Sequence, residues 1–344
     1  MRLKFILTFT LLFACAKYTF INAQTVLNQE SPFSKIGISS GAFLTLPIGA
    51  RTAGFGGGFV AIADDPNAIF SNPAGITQIP GIGASYSYSK YYGDITHNAG
   101  AFTMPVNSDY RIGVQFQSFG TSDIPYTDLF HQEGYGATFS ARNNVLGLVF
   151  AGQITDQFSF GIGAKYVNLG FATVSANGVA FDLGTLYKPG IYGLRIGFAA
   201  QNLSSSFKYS GNGLLRNGTI DPITGNKRPD VQLEATESSL PLLFRAGIST
   251  NVLEGNADNS LLINLEFANA SDKPENLTIG GEYTWNKLLS VRAGYLVGSS
   301  NSFGLSGGLG FNYVTGSFIG MLDYAARIHA TLGVVHNITA SIKL

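Results

Sequence analysis

The sequence predicts an all-β protein, a transmembrane antiparallel β-barrel of about 14 strands with a short N-terminal plug in its lumen. Apolar and polar residues alternate at period two over segments of ten or more residues, as strands that cross a bilayer require. The polar face is rich in Gly, Ser and Asn, which suits a lumen. Aromatic residues gather near strand ends, as at Tyr91, Tyr92 and Trp285.

The alternation is clearest in residues 157–167. Phe158, Phe160 and Ile162 fall on one face, and Ser159 and Gly161 on the other. A soluble β-sandwich alternates in the same way and is the alternative fold. Strand length and the glycine-rich polar face favour the membrane, where strands must close into a barrel because lipid offers an open edge no hydrogen-bond partner.

The composition argues against a soluble enzyme and against a nucleic-acid partner. Charged residues make up 12% of the 344 residues, and there are 43 glycines. A typical soluble domain has about twice that share of charge. The 21 Lys and Arg residues balance the 21 Asp and Glu residues, so no basic excess exists to attract nucleic acid.

The N-terminus predicts an export signal over residues 1–23. Arg2 and Lys4 precede an apolar run that is too short to span a bilayer as a helix, and Ala23 ends a plausible cleavage site. Cys15, the only cysteine, lies inside this signal. The residues before it faintly resemble a lipobox, which leaves a lipid-anchored N-terminus as an alternative. Cleavage after Ala23 would exclude disulfides, thiol catalysis and cysteine-bound zinc.

We expect three parts: the signal peptide, a luminal plug over residues 24–80, and the barrel over residues 81–344. The predicted strands are 81–92, 94–106, 109–119, 133–154, 157–170, 178–188, 192–203, 241–252, 260–269, 276–285, 288–297, 304–315, 316–327 and 332–344. The strand at 133–154 is long and could split at Asn143, which would change the count.

Short and long connections alternate along the predicted strands. Tight turns suit the periplasmic side and are expected at 107–109, 155–156, 188–190 and 286–287. The segments expected on the extracellular side are 120–132, 170–178, 204–240 and 327–331. The longest, 204–240, has Gly, Asn and Pro punctuation without a sustained period. It predicts either a partner-binding surface or disorder.

The stretch from Gly49 to Gly75 contains glycines, an acidic pair and an Asn-Pro-Ala-Gly sequence. Its glycine cluster resembles a dinucleotide fingerprint, but Phe59 takes the third glycine position and no strand precedes it. No Gly-Lys-Ser/Thr sequence completes a phosphate-binding loop there. Asp64 and Asp65 suggest a cation site, but a simpler interpretation makes Asp65 the cap of a short helix that begins at Pro66.

Catalytic motifs are weak. Ser306 lies in a Gly-x-Ser-x-Gly sequence, but within an alternating segment rather than the strand–turn–helix that a nucleophile elbow needs. His97, His131, His329 and His336 show no metal-ligand spacing, and three of them fall near expected extracellular ends, which leaves a lipid hydrolase as a remote alternative. We therefore predict no enzyme activity, no cofactor and no metal.

The segments Gly41–Leu44, Pro47–Asp65 and Ser71–Gly75 together resemble the N-terminal signature of the PorV/PorQ family, part of the larger FadL-like group of outer-membrane barrels. The resemblance implies a FadL-like fold in the outer membrane. It also implies that the segment with Asn72, Pro73 and Ala74 folds into the lumen as a hatch.

The rest of the stretch can serve the same plug. Small glycines allow the backbone to approach a barrel wall closely, and those expected to do so are Gly54, Gly56, Gly57 and Gly75. We expect the charged plug residues Arg51, Asp64 and Asp65 to bond polar residues of the lumen. The candidates are Arg111, Arg195, Glu266 and Arg292.

The resemblance implies a role in type IX secretion, in which PorV-like members accept folded cargo through its C-terminal signal domain and pass it to a cell-surface attachment complex. The first expectation is therefore a non-enzymatic barrel in outer-membrane lipid that binds cargo or attachment proteins. The alternative is a FadL-like transporter of long-chain fatty acids or hydrocarbons. The small, polar inward residues predict no apolar lumen and favour the first.

Overall fold

The computed structural model describes residues 37–216, 218, 223, 226–227, 229–256, 258–298 and 303–344. The predicted signal peptide and the first part of the predicted plug, residues 24–36, lie outside the described residues. Within the described ranges, no helix is long and apolar enough to cross a membrane.

Fourteen antiparallel strands form a closed barrel, which confirms the predicted fold class. Their bounds are β1 Gly83–Lys90, β2 Thr96–Pro105, β3 Tyr110–Gly120, β4 Ala141–Gln153, β5 Phe158–Phe171, β6 Val174–Tyr187, β7 Arg195–Ser204, β8 Leu243–Asn251, β9 Ser260–Ala270, β10 Asn276–Trp285, β11 Leu289–Val297, β12 Phe303–Thr315, β13 Phe318–His329 and β14 Gly333–Lys343. Each strand pairs with the next, and β14 pairs with β1 from Gly83–Lys343 to Lys90–His336. The sheet therefore has no open edge.

Two predicted segments differ from the structure. Strand β4 begins at Ala141 and does not split at Asn143, whereas residues 133–140 belong to a loop in which Ile124–Pro125 pairs with Thr138–Phe139. The predicted loop at 170–178 is wrong, because β5 and β6 continue through it and turn at residues 172–173. Ala172, at φ 51°, takes the left-handed conformation that so tight a turn requires.

The two faces of the wall have opposite chemistry. Phe116, Leu148 and Ile162 are exposed on the outer face, as the alternation predicts for contact with lipid. Gln115 and Lys165 are buried on the inner face, so the lumen wall is largely polar.

The barrel has a turn end and a loop end. Connections of two to eight residues and the C-terminus lie at the turn end, as in the turn after Thr315. The long connections 121–140 and 205–242 lie at the loop end. In the second of these, Ser210–Gly211 pairs with the top of β6, and Leu215–Arg216 pairs with Val231–Gln232.

Among the described residues, five short helices precede or interrupt the strands. The α-helix α1 spans Ala50–Gly54, and 3₁₀ helices span Ala42–Thr45, Pro66–Phe70, Pro73–Gln78 and Asn212–Leu214. The first four of these five elements lie before β1. Their residues from Ala50 to Ile79 are almost entirely buried, so this segment fills the lumen. We call residues 47–80 the plug.

Candidate functional site

Two short helices of the plug begin as the sequence predicts. The Asp65 carboxylate accepts a hydrogen bond from the Asn67 amide at 2.9 Å, with Pro66 at the first helical position. The Asn72 side chain does the same for Ala74 at 3.1 Å, and Asn72 itself is extended before its proline. Local capping therefore folds the plug into compact turns.

The Asn-Pro-Ala-Gly turn is fixed to the wall near the turn end. The Asn72 amide donates to the carbonyl oxygens of Val60 at 2.8 Å and Thr185 at 3.0 Å. A Cβ on Gly184 would lie 2.1 Å from the Asn72 Oδ1, and one on Gly161 would lie 2.3 Å from the Pro73 carbonyl carbon. The wall thus requires glycine where the plug touches it.

Glycines of the plug also lie where the backbone comes close to neighbouring atoms. A Cβ on Gly75 would lie 2.5 Å from that of Ala63, within the plug itself. Gly56, at φ 78°, places its backbone against Thr278 on β10. The other two predicted glycines, Gly54 and Gly57, lie on either side of Gly56, and Gly54 faces Arg292.

Arg51 is the hub of the contacts between plug and wall. Its guanidinium contacts Asp64, lies 3.3 Å from Asp65, and forms a two-point pair with Glu282 of β10 at 2.8 and 3.0 Å. Arg195 of β7 lies 2.9 Å from Asp64. Arg51 and Asp64 therefore tie the plug to two strands of the wall, β10 and β7.

The network continues along the wall. Glu282 also contacts Arg292 of β11, whose guanidinium lies 2.6 Å from Asp323 of β13. Burial opposes ionisation of Asp64, but the charges of Arg51, Arg195 and Lys343 outweigh it and hold the pKa of the Asp64 carboxyl well below its usual range. Asp64 is therefore a half-buried carboxylate stabilised by its cations.

A second carboxylate holds the plug through its backbone. Glu266 of β9 accepts hydrogen bonds from the amides of Phe59 and Val60 at 2.6 and 2.7 Å, and Arg245 lies 2.9 Å from its other oxygen. Charge-assisted bonds of this kind are stronger than neutral ones. The plug is thus anchored at several points on β7 to β13.

The predicted wall partners are only partly right. Arg195 bonds Asp64 directly, whereas Arg292 reaches Arg51 through Glu282 and Glu266 bonds plug backbone. Arg111 instead donates to the Gly81 carbonyl oxygen at 2.9 Å, at the turn end. Sequence reasoning missed Glu282, although it occupies an inward position of a predicted strand.

Above the plug, at the loop end, the lumen contains an apolar cluster. Phe43, from the 3₁₀ helix before the plug, packs there against side chains of β4 to β6 and the 205–242 loop. The buried members are Phe43, Val145, Val167, Leu169, Ala176, Ala180, Phe207 and Leu240. We call this space the chamber. The expectation of a lumen without apolar surface is wrong, because β4 to β6 turn valine and leucine inward only near their loop-end halves.

The segment that fills the chamber is lightly attached. The Ser40 amide donates to Ser239 at 2.9 Å, and the Ser40 and Ser238 hydroxyls lie 2.7 Å apart. Thr45 contacts the Lys273 ammonium. No ion pair joins residues 37–46 to the wall in the part of the chain that the structure describes, in contrast to the plug.

Ser306 lies where the barrel wall meets the plug. Its hydroxyl lies 3.2 Å from the Gly54 carbonyl oxygen and 3.1 Å from that of Gly294, so it joins the plug to β11 and β12. Among the described residues, no three His, Cys, Asp or Glu side chains are grouped as metal ligands would be. Asp64 and Asp65 face arginine instead.

The barrel is similar to several solved structures. The toluene transporter TbuX of Ralstonia pickettii is 15% identical over 87% of this chain and 98% of its own, with a TM-score of 0.54. The monoaromatic hydrocarbon channel CymD and a Pseudomonas aeruginosa FadL homologue are each 15% identical over 87% of this chain and 97% and 98% of theirs, both with a TM-score of 0.51.

At this identity the likeness shows the fold, which is a FadL-like barrel. No protein-family model matches the chain, and no curated protein matches it. The resemblance of Gly41–Gly75 to the PorV/PorQ signature therefore stays a hypothesis about a branch of this fold.

Proposed function

We propose that this protein is an outer-membrane transporter that takes up hydrophobic small molecules through its plugged lumen. The observation that carries the proposal is the apolar chamber at the loop end, filled by Phe43 of the chain itself. Ligand sites of small molecules are mostly apolar and concave with a few polar groups. An apolar space in a polar lumen is therefore the place for a hydrophobic ligand.

The attachment of the Phe43 segment supports exchange with a ligand. Residues 40–46 are held by a few hydrogen bonds, whereas the plug below has ion pairs at Arg51 and Glu266. Gly49, at φ 92°, lies between this segment and Arg51, the first ion-paired residue of the plug, so we expect the segment to leave the chamber by a backbone change at or before this glycine. A hydrophobic molecule that enters between the loops would take the place of the Phe43 ring.

The structural neighbours support the ligand class. TbuX is a toluene transporter and CymD a monoaromatic hydrocarbon channel, and both have this barrel. A single aromatic ring is also what Phe43 places in the chamber. Monoaromatic compounds are therefore the first ligands to test. The apolar outer face and the predicted export signal support the outer membrane as the location.

Removing the native occupant tests the proposal. In Phe43→Ala the chamber loses a ring whose burial stabilises by about 1.5–3 kcal/mol, so toluene no longer competes with it. We expect toluene to bind the purified variant about tenfold or more tightly than the native protein, measured by calorimetry. The control is Phe102→Ala, which removes a ring from the outer face. Absence of toluene binding to both proteins would contradict the proposal.

A second candidate is the secretion role that the PorV/PorQ resemblance implies. The observation that favours it is the exposed loop end, where Leu129 and Phe130 are 88% and 90% exposed on the 121–140 loop. Exposed apolar residues of this kind suit a protein partner. Pull-down from native membranes tests it. Recovery of proteins with a secretion C-terminal domain, lost in Leu129→Ser/Phe130→Ser, would favour this candidate over uptake.

A further inference from the structure

The chamber has a polar wall beside its apolar one. Three buried side chains on β2 and β3 have a polar atom without a hydrogen-bond partner among the described residues. They are His97 at Nε2, Gln115 at Nε2 and Gln117 at Oε1, with 2%, 1% and 4% of their surfaces exposed. Buried polar groups in native proteins are normally hydrogen-bonded, so each of these requires an explanation.

These side chains adjoin the Phe43 ring. Phe119 stacks on that ring at 5.2 Å between centroids, and the His97 ring meets it edge-on at 6.0 Å. His97 pairs with Phe119 across the sheet, and Gln117 pairs with Val145, another member of the chamber. Gln115 is the next inward residue on β3. The polar wall and the aromatic slot are therefore one continuous surface.

The two glutamines offer a donor and an acceptor together. The Gln117 Nε2 lies 3.5 Å from the Gln115 Oε1, which leaves the Gln115 amide nitrogen and the Gln117 carbonyl oxygen without a well-formed hydrogen bond among the described residues, although the Gln117 side chain adjoins His97. Exchanging oxygen and nitrogen in both amides again leaves one donor and one acceptor. A hydroxyl group, which donates one hydrogen bond and accepts others, can satisfy both at once.

The Phe43 ring, which occupies the chamber in the native protein, cannot hydrogen-bond to these groups. Phe43 is a hydrocarbon, so its ring fills the slot and leaves the polar atoms of His97, Gln115 and Gln117 unpaired. An aromatic hydrocarbon ligand would leave them unpaired as well. A ring that bears a hydroxyl would fill the slot and also pair them.

We propose that the chamber selects aromatic molecules with an uncharged hydrogen-bonding substituent, of which a phenol is the simplest. The ring lies in the place of the Phe43 ring, and the hydroxyl faces His97, Gln115 and Gln117. The proposal rests on the proposed uptake function and names its substrate class. It makes these three residues the determinants of specificity in the lumen.

The test compares p-cresol with p-xylene, which differ by a hydroxyl in place of a methyl group. Calorimetry on the purified full-length barrel gives both Kd values, and their ratio is the readout. We expect the Kd of p-xylene relative to that of p-cresol to fall about tenfold in Gln115→Leu/Gln117→Leu, because the hydroxyl loses its partners. His97→Leu should shift the ratio in the same direction.

His336→Leu is the matched control, since His336 is exposed on the outer face and bonds Tyr324 at 2.8 Å. It should leave the ratio unchanged. If both ligands bind and the ratio is the same in the native protein and all variants, the selectivity proposal is wrong while uptake stands. If neither ligand binds any of these proteins, uptake and selectivity both fail.

Discussion

Arg51→Met removes the hub of the contacts between plug and wall with little change in side-chain volume. In the native protein the guanidinium serves Asp64, Asp65 and Glu282 together. The substitution leaves these buried carboxylates with fewer cations, although Asp64 keeps Arg195. We expect the plug to stay folded and to leave the lumen more often.

The expected loss of plug stability follows from the burial of the carboxylates that pair with Arg51. Breaking a buried ion pair by removing one partner costs about 3–5 kcal/mol. Asp64 keeps Arg195, and Glu282 keeps Arg292, so we expect the smaller loss of about 2 kcal/mol in plug stability. That corresponds to an increase of about 30-fold in the population with a displaced plug.

Single-channel recording in planar lipid bilayers measures this population directly. Arg51→Met should show open events about 30 times as often as the native protein. Arg142→Met is the control, because its pair with Asp123 is exposed at 3.7 Å and such pairs contribute little. In Arg51→Met/Asp65→Asn the carboxylate that pairs with no other cation among the described residues is removed, so part of the closure should return. Equal open probability in Arg51→Met and the native protein would refute the role of Arg51 as an anchor.

Two further predictions use the same recordings. The pKa of Asp64 is lower in the plugged protein than its ordinary value. The contribution of Asp64 to plug stability is therefore complete above the ordinary Asp range and is lost as pH falls toward the lower pKa. Open events should be constant from pH 7 to 5 and increase below about pH 4. A rise between pH 7 and 5 would contradict this. Gly184→Ala places a Cβ against Asn72 and should raise conductance, whereas Gly100→Ala, with its nearest atom at 3.8 Å, should not. Equal conductance in both variants would show that the plug does not depend on this contact.

The barrel was largely predictable from sequence because period-two alternation is a local property of the chain. Each strand from β7 onward lies close to its predicted range. The errors fall where alternation continues through a turn, as at Ala172, or where a loop has strand-like residues, as before Ala141. Turn position there depends on pairing with the neighbouring strand, which a single sequence does not reveal.

The plug contacts were predictable in part for a similar reason. Caps at Asp65 and Asn72 are local, so the sequence predicts them. The pairing of Arg51 with Glu282 joins residues 231 apart and depends on where the plug lies in the lumen. The chamber was missed because Phe43 precedes the plug, and its surroundings come from three strands and a distant loop.

The exchange of the Phe43 segment for a ligand is the central claim, and a reversible crosslink tests it most directly. The hydroxyls of Ser40 and Ser238 are 2.7 Å apart, so the two side chains face each other, and we expect Ser40→Cys and Ser238→Cys to form a disulfide; Cys15 is the only native cysteine. With the disulfide formed, residues 40–46 stay in the chamber, and p-xylene should bind the purified protein at least about tenfold more weakly than after reduction. Ser40→Cys alone should not respond to reductant. Equal affinity of the oxidised and reduced double variant would contradict the account.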